Sequence, residues 1–246
     1  MCRHLAYVGV PIPLSALLFD PPHSLAHQSW APHDMRGGGT INADGFGVGW
    51  YADGPIRYRR ATPLWSDTTL PALAAALRVS AALAAVRSAT AGMPVVETAA
   101  APFGDGPWLF SHNGVVAGWP DSVAKLAATL PTADLLTLQA PTDAALLWAL
   151  VRHRLRGGAE PAEAVAATVA EVESAAPGSR LNLLLTDGSS IVATTLGHAL
   201  SVRRGGKSVL VSSEPLDDDP AWRPVPDRTL LAAGPSDLTL IPLGEA

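Results

Sequence analysis

The chain has 246 residues, of which 48% are hydrophobic and 16% are charged, and its 17 basic and 22 acidic residues give a formal net charge of −5. This composition predicts a folded protein with a substantial core, and the scattered basic residues argue against a nucleic-acid partner. A single cysteine cannot form an intramolecular disulfide, so a cytoplasmic setting is predicted.

The apolar stretches of the chain do not predict a membrane segment. Pro11 and Pro13 interrupt the apolar run of residues 5–18, which disfavours a signal peptide. The Ala-rich residues 73–86 contain Arg78 and are too short and too polar to span a bilayer. The sequence therefore predicts no membrane partner.

The first part of the chain predicts a buried strand followed by a long loop. Residues 4–10 are apolar enough for a short strand that anchors the N-terminus. Residues 11–40 are rich in Pro, His and Gly and predict a loop ending in a turn at glycines 37–39, beside a cleft. Residues 45–51 alternate Gly with large apolar side chains, and they predict a strand whose hairpin partner is residues 56–60.

The middle of the chain combines helical and strand patterns. Three elements are predicted: a helix over residues 68–80, a strand over residues 83–87 and a strand over residues 108–111. The last strand is predicted to turn at Asn113 and Gly114 into residues 115–117, because Asn-Gly between apolar runs is a strong hairpin signal.

The second half of the chain predicts three helices and four strands. The helices cover residues 122–130, 143–156 and 161–175, with caps at Asp121, Thr142 and Glu160. The strands cover residues 181–186, 191–195, 200–204 and 208–212, and they predict a second antiparallel sheet. Together the elements predict an α+β fold in one domain, residues 1–246, with helices covering the outer faces of two sheets.

Cys2 is the most informative residue because it directly follows Met1. Removal of Met1 would leave Cys2 with a thiol and a free α-amine on one residue, and groups of both kinds titrate near neutral pH. The amine can then act as the base for the thiol, as in N-terminal-nucleophile acyl transfer. The alternative, an incidental small residue near the chain start, stays open on this position alone.

Acyl transfer also needs donors for a developing oxyanion, and Asn113 and Gly114 can supply them. Asn113 offers a side-chain amide, and Gly114 offers a backbone N–H that no Cβ obstructs. The alternative is that this pair forms only a turn.

A substrate with a free amino-acid head needs a cation for its carboxylate and an anion for its ammonium group. Arg87 is the candidate carboxylate clamp, with Ser88 and Thr90 as hydroxyl donors beside it. Asp143 is the candidate ammonium acceptor. The alternatives are a surface arginine at a strand end and a first-turn acid that interacts with the helix dipole.

Four segments stand in a characteristic order: Met1-Cys2, residues 87–92 (Arg-Ser-Ala-Thr-Ala-Gly), His112-Asn113-Gly114 and Thr142-Asp143. In order and approximate spacing they resemble class II glutamine amidotransferase domains, which are N-terminal-nucleophile hydrolases. The resemblance implies a nucleophile, a carboxylate clamp, an oxyanion hole and an amino-group acceptor, placed respectively at Cys2, at Arg87 and Thr90, at Asn113 and Gly114, and at Asp143.

Three further segments narrow the resemblance: residues 1–7, residues 42–51 and residues 213–217. They are similar to the branch of the family in ergothioneine biosynthesis, which hydrolyses γ-glutamyl-hercynylcysteine sulfoxide and releases glutamate. This resemblance implies a four-layer αββα sandwich of the N-terminal-nucleophile hydrolase type. It also implies a small-molecule γ-glutamyl substrate and no cofactor.

Two departures from the family pattern disfavour simple glutamine use. Arg3-His4 stands where many amidotransferases have Gly-Ile, and Ala85 replaces a common His or Thr. The lack of a recognisable domain to receive ammonia predicts water as the acyl acceptor. Two alternatives stay open, namely the glutaminase subunit of a two-protein amidotransferase and a non-catalytic domain that binds γ-glutamyl ligands.

The remaining residue clusters predict no second site. The histidines at positions 4, 23, 27, 33 and 112 include no His-x-x-x-His pair with an added acid ligand, so no metal is predicted. Trp30, Trp50 and Trp119 could offer an aromatic face to a trimethylammonium group, but each is more typical of a core or rim residue. The acidic residues 217–219 predict a solvated loop. The sequence leaves the oligomeric state open, a homo-oligomer included.

Overall fold

The structure, a computed structural model, describes residues 2–36 and 41–244, so the predicted turn at glycines 37–39 lies outside the described residues. The strands are β1 (Arg3–Pro13), β2 (Phe46–Tyr51), β3 (Pro55–Arg60), β4 (Arg78–Val86), β5 (Phe103–Asp105), β6 (Trp108–Val115), β7 (Arg180–Thr186), β8 (Ile191–Thr195), β9 (Ser201–Gly205), β10 (Ser208–Ser212), β11 (Trp222–Pro224), β12 (Thr229–Ala233) and β13 (Leu238–Pro242). The α-helices are α1 (Ser15–Leu18), α2 (Leu25–Gln28), α3 (Leu70–Ala76), α4 (Ala124–Ala127), α5 (Thr132–Leu136), α6 (Asp143–Arg156) and α7 (Pro161–Ala175).

The strands form two antiparallel sheets. The first sheet has seven strands in the order β11-β9-β10-β1-β4-β2-β3, and the second has six in the order β13-β12-β8-β7-β6-β5. The first strand of the chain therefore lies at the centre of its sheet. Leu5 pairs with Ser212 on one side and with Ala84 on the other.

Three hydrophobic cores separate four layers. Leu5 on one face of β1 packs with Leu17 and Leu70 from the short helices α1 and α3. Ala6, on the opposite face, packs into the space between the sheets, together with Leu184 of β7. A third core, the largest, joins the outer face of the second sheet to α6 and α7. The fold is an αββα sandwich, as the resemblance implied.

The helices α6 and α7 have the bounds predicted from the sequence. The Thr142 hydroxyl accepts a hydrogen bond from the Ala145 N–H at 3.2 Å, which confirms the predicted cap of α6. Glu160 stands at the cap position of α7, but its side chain makes no capping hydrogen bond. Pro161 instead begins this helix, where its missing N–H costs nothing.

The helix predicted over residues 68–80 is wrong in its last turn. Helix α3 ends at Ala76, Leu77 is extended, and β4 begins at Arg78. Residues 77–80 (Leu-Arg-Val-Ser) can adopt either a helix or a strand, and the β-branched Val79 favours a strand. Residues 78–86 form a strand and not a helix because they pair with β1 and β2.

The turn predicted at Asn113 and Gly114 is also wrong. Strand β6 continues through both residues to Val115, where it pairs with β7. A Cβ on Gly114 would collide with the Arg180 carbonyl oxygen of β7, so the glycine permits close strand pairing here.

The last predicted sheet is divided between the two observed sheets. Strands β7 and β8 lie in the second sheet, whereas β9 and β10 extend the first sheet beside β1. The short strands β5 and β11 and the pair β12 and β13 were not predicted. The predicted loop over residues 11–40 contains the end of β1 and the helices α1 and α2. The predicted helix over residues 122–130 is reduced to the single turn of α4 after a 3₁₀ turn, Asp121–Val123.

In the described part of the chain, no helix is long and apolar enough to cross a membrane.

We expect Gly47→Ala to destabilise the fold, because a Cβ at Gly47 would collide with the backbone oxygen of Ala101. Overpacking of this kind costs about 1–3 kcal/mol of unfolding free energy, which urea denaturation measures. Gly54→Ala is the control, since no atom lies within 4 Å of a Cβ there. Equal stability of the two variants would contradict the close approach.

Candidate active site

Cys2 directly precedes β1, the central strand of the first sheet. Its side chain is half-buried, and its Sγ lies 3.9 Å from the Ser88 carbonyl oxygen. Arg3 pairs with Val86, the last residue of β4, so the segment that follows β4 runs past the thiol. The register of two strands thus brings together residues that are 86 positions apart.

A cavity opens beside the thiol. The predicted site residues that line it are Cys2, Arg87, Ser88, Thr90, Gly114 and Asp143. Ala99, Ala101, Phe103 and Met93 supply an apolar wall that the sequence did not predict. The cavity therefore collects residues from both sheets and from the start of α6.

Arg87 is buried and directly follows β4, so it lies at a strand end as predicted. Its backbone N–H donates to the Gly45 carbonyl oxygen at 2.8 Å, and its Nη1 donates to the Pro94 carbonyl oxygen at 2.9 Å. The remaining guanidinium donors can meet a ligand carboxylate. The arginine is therefore fixed in place before any ligand arrives.

Asp44 supports the segment that carries this arginine, and sequence reasoning gave it no role. Its N–H donates to the Arg87 carbonyl oxygen at 2.9 Å, and its carboxylate accepts the Ala89 N–H at 2.8 Å. An Asx-type side chain before a glycine in residues 42–45 was a usable signal, because such side chains cap nearby backbone groups.

Asp143 begins helix α6, and its carboxylate borders the cavity. One oxygen accepts the Val116 N–H at 3.1 Å, and the other accepts the Ala144 N–H at 2.7 Å. A carboxylate has further lone pairs, so these bonds leave acceptor capacity for an ammonium group. Its position at the start of α6 therefore leaves the predicted role as ammonium acceptor possible.

Asn113 and Gly114 are neighbours on β6, but only Gly114 is among the residues that line the cavity. Asn113 is fully buried, and its Oδ1 has no hydrogen-bond partner among the described residues. Alternation along the strand places its side chain on the same face as Ser111, which does line the cavity. The Asn113 side chain therefore faces the space between the sheets beside Ser111, and its Oδ1 acceptor is unused among the described residues.

Two buried histidines, His4 on β1 and His198 after β8, are neutral near pH 7. Burial, followed by the neighbouring His112 and His198, lowers the pKa of His4 from 6.5 to about 3. Burial and the Arg180 charge lower the pKa of His198 from 6.5 to about 4. The His4 Nδ1 lies 3.2 Å from the Ser111 hydroxyl, which links the two sheets beside the cavity.

His23, His33 and Glu214 form a cluster whose potential ligand atoms lie within 4.8 Å of one another. The rings of His23 and His33 are stacked, with centroids 3.8 Å apart and an interplanar angle of 4°, so their lone pairs do not converge on one point. The Glu214 carboxylate already accepts hydrogen bonds at both oxygens. Hydrogen bonding explains this cluster, and the absence of a metal stays a sequence prediction.

Comparison with known proteins places these features in a family. The family model described as glutamine amidotransferases class-II matches residues 13–206. A protein of Mycobacterium tuberculosis (strain CDC 1551 / Oshkosh), named gamma-glutamyl-hercynylcysteine sulfoxide hydrolase, is 43% identical, and the match covers 100% of this chain and 98% of the relative. A protein of the same name from Mycolicibacterium smegmatis (strain ATCC 700084 / mc(2)155) is 41% identical, with 99% and 100% covered.

A solved structure shows the same fold. A glutamine aminotransferase class-II domain protein from Silicibacter pomeroyi superposes with a TM-score of 0.70 at 24% sequence identity. The superposition covers 98% of this chain and 99% of that chain. The two-sheet architecture is thus shared over nearly the full length of both proteins.

The lowered pKa of His4 predicts a loss of stability in acid. The unfolded chain takes up this proton near pH 6.5, whereas the folded protein does so only near pH 3. Stability that is fully present above pH 6.5 is therefore lost as the pH falls through this window, at about 1.4 kcal/mol per pH unit. We expect His4→Asn to remove that contribution to the slope of unfolding free energy against pH, measured by urea denaturation.

The exposed His153 provides the matched control, because His153→Asn changes a side chain outside the buried cluster. An unchanged slope in His4→Asn would show that His4 does not titrate as described.

Proposed function

The chain belongs to the class II glutamine amidotransferase family, and we propose that it hydrolyses the γ-glutamyl amide bond of γ-glutamyl-hercynylcysteine sulfoxide in ergothioneine biosynthesis. Full-length relatives at 41–43% identity carry the name of this hydrolase. The observation that carries the proposal is the cavity where the Cys2 thiol, the Arg87 guanidinium and the Asp143 carboxylate meet. A γ-glutamyl head has a carbonyl carbon for the thiol, a carboxylate for the guanidinium and an ammonium group for the carboxylate.

The amino-acid head of the substrate binds at the end away from the thiol. Arg87 and Thr90 receive the α-carboxylate, since both line the cavity and offer N–H and O–H donors. Asp143 accepts the α-ammonium group, and Ser88 adds a further hydroxyl. These contacts hold the γ-carbonyl carbon beside the Cys2 Sγ.

The first chemical step uses the mature N-terminus. After removal of Met1, the free α-amine of Cys2 takes the thiol proton, and the thiolate attacks the γ-carbonyl carbon. The carbonyl oxygen becomes an oxyanion, which the Asn113 side-chain amide and the Gly114 N–H stabilise. The position of Asn113 on the same face of β6 as Ser111, which lines the cavity, supports this role.

The second stage releases both products. The carbon–nitrogen bond breaks as the α-ammonium of Cys2 returns its proton to the leaving nitrogen, which leaves a glutamyl thioester. Water then loses a proton to the same amine and attacks the thioester carbon. The carbon–sulfur bond breaks, the thiolate takes that proton back from the α-ammonium, and glutamate departs. No cofactor takes part in any step.

The same proposal covers the organisation of the protein. Residues 1–246 act as one domain on a small molecule in the cytoplasm. Relatives that match this chain from end to end, and carry the name of a hydrolase, support a stand-alone enzyme over the subunit of a transferase.

We expect Cys2→Ala to abolish glutamate release while the substrate still binds, because alanine removes the nucleophile but none of the groups that hold the head. Glutamate release and calorimetric binding are measured on the same preparation, and intact mass establishes whether each chain begins at residue 2. Full activity in Cys2→Ala, or retention of Met1 in active wild type, would overturn the mechanism.

We expect Arg87→Lys to lower kcat/KM about tenfold to a hundredfold, because an ammonium group cannot replace a guanidinium that bonds Pro94 and a carboxylate at once. The range corresponds to a lost charge-assisted hydrogen bond of about 1.5–3 kcal/mol. Arg60→Lys, in an exposed ion pair with Glu97, is the control. Near-normal kinetics in Arg87→Lys would reject the clamp.

A further inference from the structure

Glu214 is a buried carboxylate that the proposed chemistry does not use. It follows β10, the strand that pairs with β1, and 4% of its surface is exposed. A carboxylate at this depth requires partners that offset the loss of its hydration. Those partners identify what the residue holds in place.

Four N–H groups converge on this carboxylate. Oε1 accepts from the Arg3 Nε at 2.9 Å and from the Asp34 N–H at 3.2 Å. Oε2 accepts from the His23 Nε2 at 2.6 Å and from the His33 N–H at 2.8 Å. Glu214 therefore joins the start of β1 to residues 23–34, which lie on a separate stretch of chain.

The carboxylate is ionised in this setting. Burial alone would raise the pKa of Glu214, but the hydrogen bonds from His23 and His33 and the charge of Arg3 outweigh it and lower the pKa. Arg3 is itself buried, with 2% of its surface exposed. Arg3 and Glu214 therefore form a buried ion pair. Among the described residues, Arg3 has no other acidic side chain at ion-pair distance, and Glu214 has only His23, which carries a charge when it is protonated.

Arg3 links Glu214 to the backbone of Cys2. Its Nη1 donates to the Cys2 carbonyl oxygen at 3.0 Å, and its Nη2 donates to the Asp34 carbonyl oxygen. The residue before Glu214 adds a second tie, because the Ser213 N–H donates to the His4 carbonyl oxygen at 2.9 Å. The backbone on the C-terminal side of Cys2 is thus held from one short segment, residues 213–214.

A mature Cys2 would be attached to the chain by a single peptide bond. Its thiol and its α-amine must both face the scissile bond, and only the carbonyl side of the residue is tethered. A hydrogen bond to that carbonyl oxygen restricts the rotation that would turn either group away. Misplacement by about 1 Å can cost about a hundredfold in rate.

We propose that Glu214 is a positioning residue for the reaction: through Arg3 it fixes the Cys2 backbone and so aligns the thiol and the α-amine with the substrate carbonyl. This inference rests on the proposed hydrolase function. The residues proposed to hold the head of the substrate, Arg87, Thr90 and Asp143, are not among the hydrogen-bond partners of the Glu214 carboxylate, so effects on binding and on chemistry can be measured separately.

The test compares Glu214→Gln and Glu214→Asp with wild type. We expect Glu214→Gln to lower kcat about a hundredfold and to change KM by less than about threefold, because the groups that bind the head are untouched. Glu214→Asp keeps the charge and restores part of kcat. Rates are expressed per reactive thiol, which alkylation counts directly because Cys2 is the single cysteine of the chain.

Glu173→Gln is the matched control, since it makes the same exchange in an exposed ion pair with Arg228 and should leave both constants unchanged. If Glu214→Gln does not fold, Arg3→Lys carries the test, because lysine keeps the charge but cannot bond Glu214, Cys2 and Asp34 together. It should show the same fall in kcat.

Wild-type kcat per thiol in Glu214→Gln, or in Arg3→Lys, would overturn the positioning role while the hydrolase function stands. A loss explained wholly by fewer reactive thiols would also overturn it. Failure of the hydrolase proposal is a separate result, in which wild type releases no glutamate from the hercynyl conjugate. Glutamine then serves as the substrate for the same comparison.

Discussion

The pairing of β1 with β10 and β4 is the constraint on which the active site depends. A strand at the start of a chain usually frays, but here it has hydrogen-bonded partners on both edges and packed side chains on both faces. Cys2 has a fixed position because it directly precedes this strand. The same register sets Arg3 opposite Val86, so Arg87 reaches the cavity as a direct consequence of how Cys2 is anchored.

The two sheets contribute different parts of the site. The first sheet carries Cys2 and Arg87, whereas the second sheet carries Gly114 and leads into α6, where Asp143 stands. Small residues such as Ala6 and Ala193 fill the layer between the sheets and allow a close approach. The cavity therefore exists only when the sheets are packed, and the groups proposed to bind the two ends of a γ-glutamyl head come from different layers.

Many of the residues that line the cavity beside Cys2 could be predicted from sequence, because short local patterns indicate them. A few neighbouring positions are enough to identify each candidate: Cys2 follows Met1, Arg87 ends an apolar run, and Asp143 follows the capping residue Thr142. The bounds of α6 and α7 could also be predicted, because the hydrophobic periodicity is helical and Thr142 and Pro161 are typical of helix starts.

The parts that escaped prediction depend on contacts far away in the chain. Gly114 resembles a turn residue until the Arg180 carbonyl of β7 lies against it. Residues 78–80 follow a helical pattern until β1 pairs with them. Glu214 is an ordinary acid in sequence, since its four donors come from residues about 180 to 211 positions away. Local patterns carry no information about such partners.

Trapping the covalent intermediate tests the mechanism most directly. Wild-type protein is mixed with γ-glutamyl-hercynylcysteine sulfoxide, quenched in acid during turnover, digested and analysed by mass spectrometry. The expected product is a peptide that begins at Cys2, lacks Met1 and carries one glutamyl group as a thioester. Glutamate release without an adduct on Cys2, or from a protein that retains Met1, would contradict catalysis by an N-terminal cysteine.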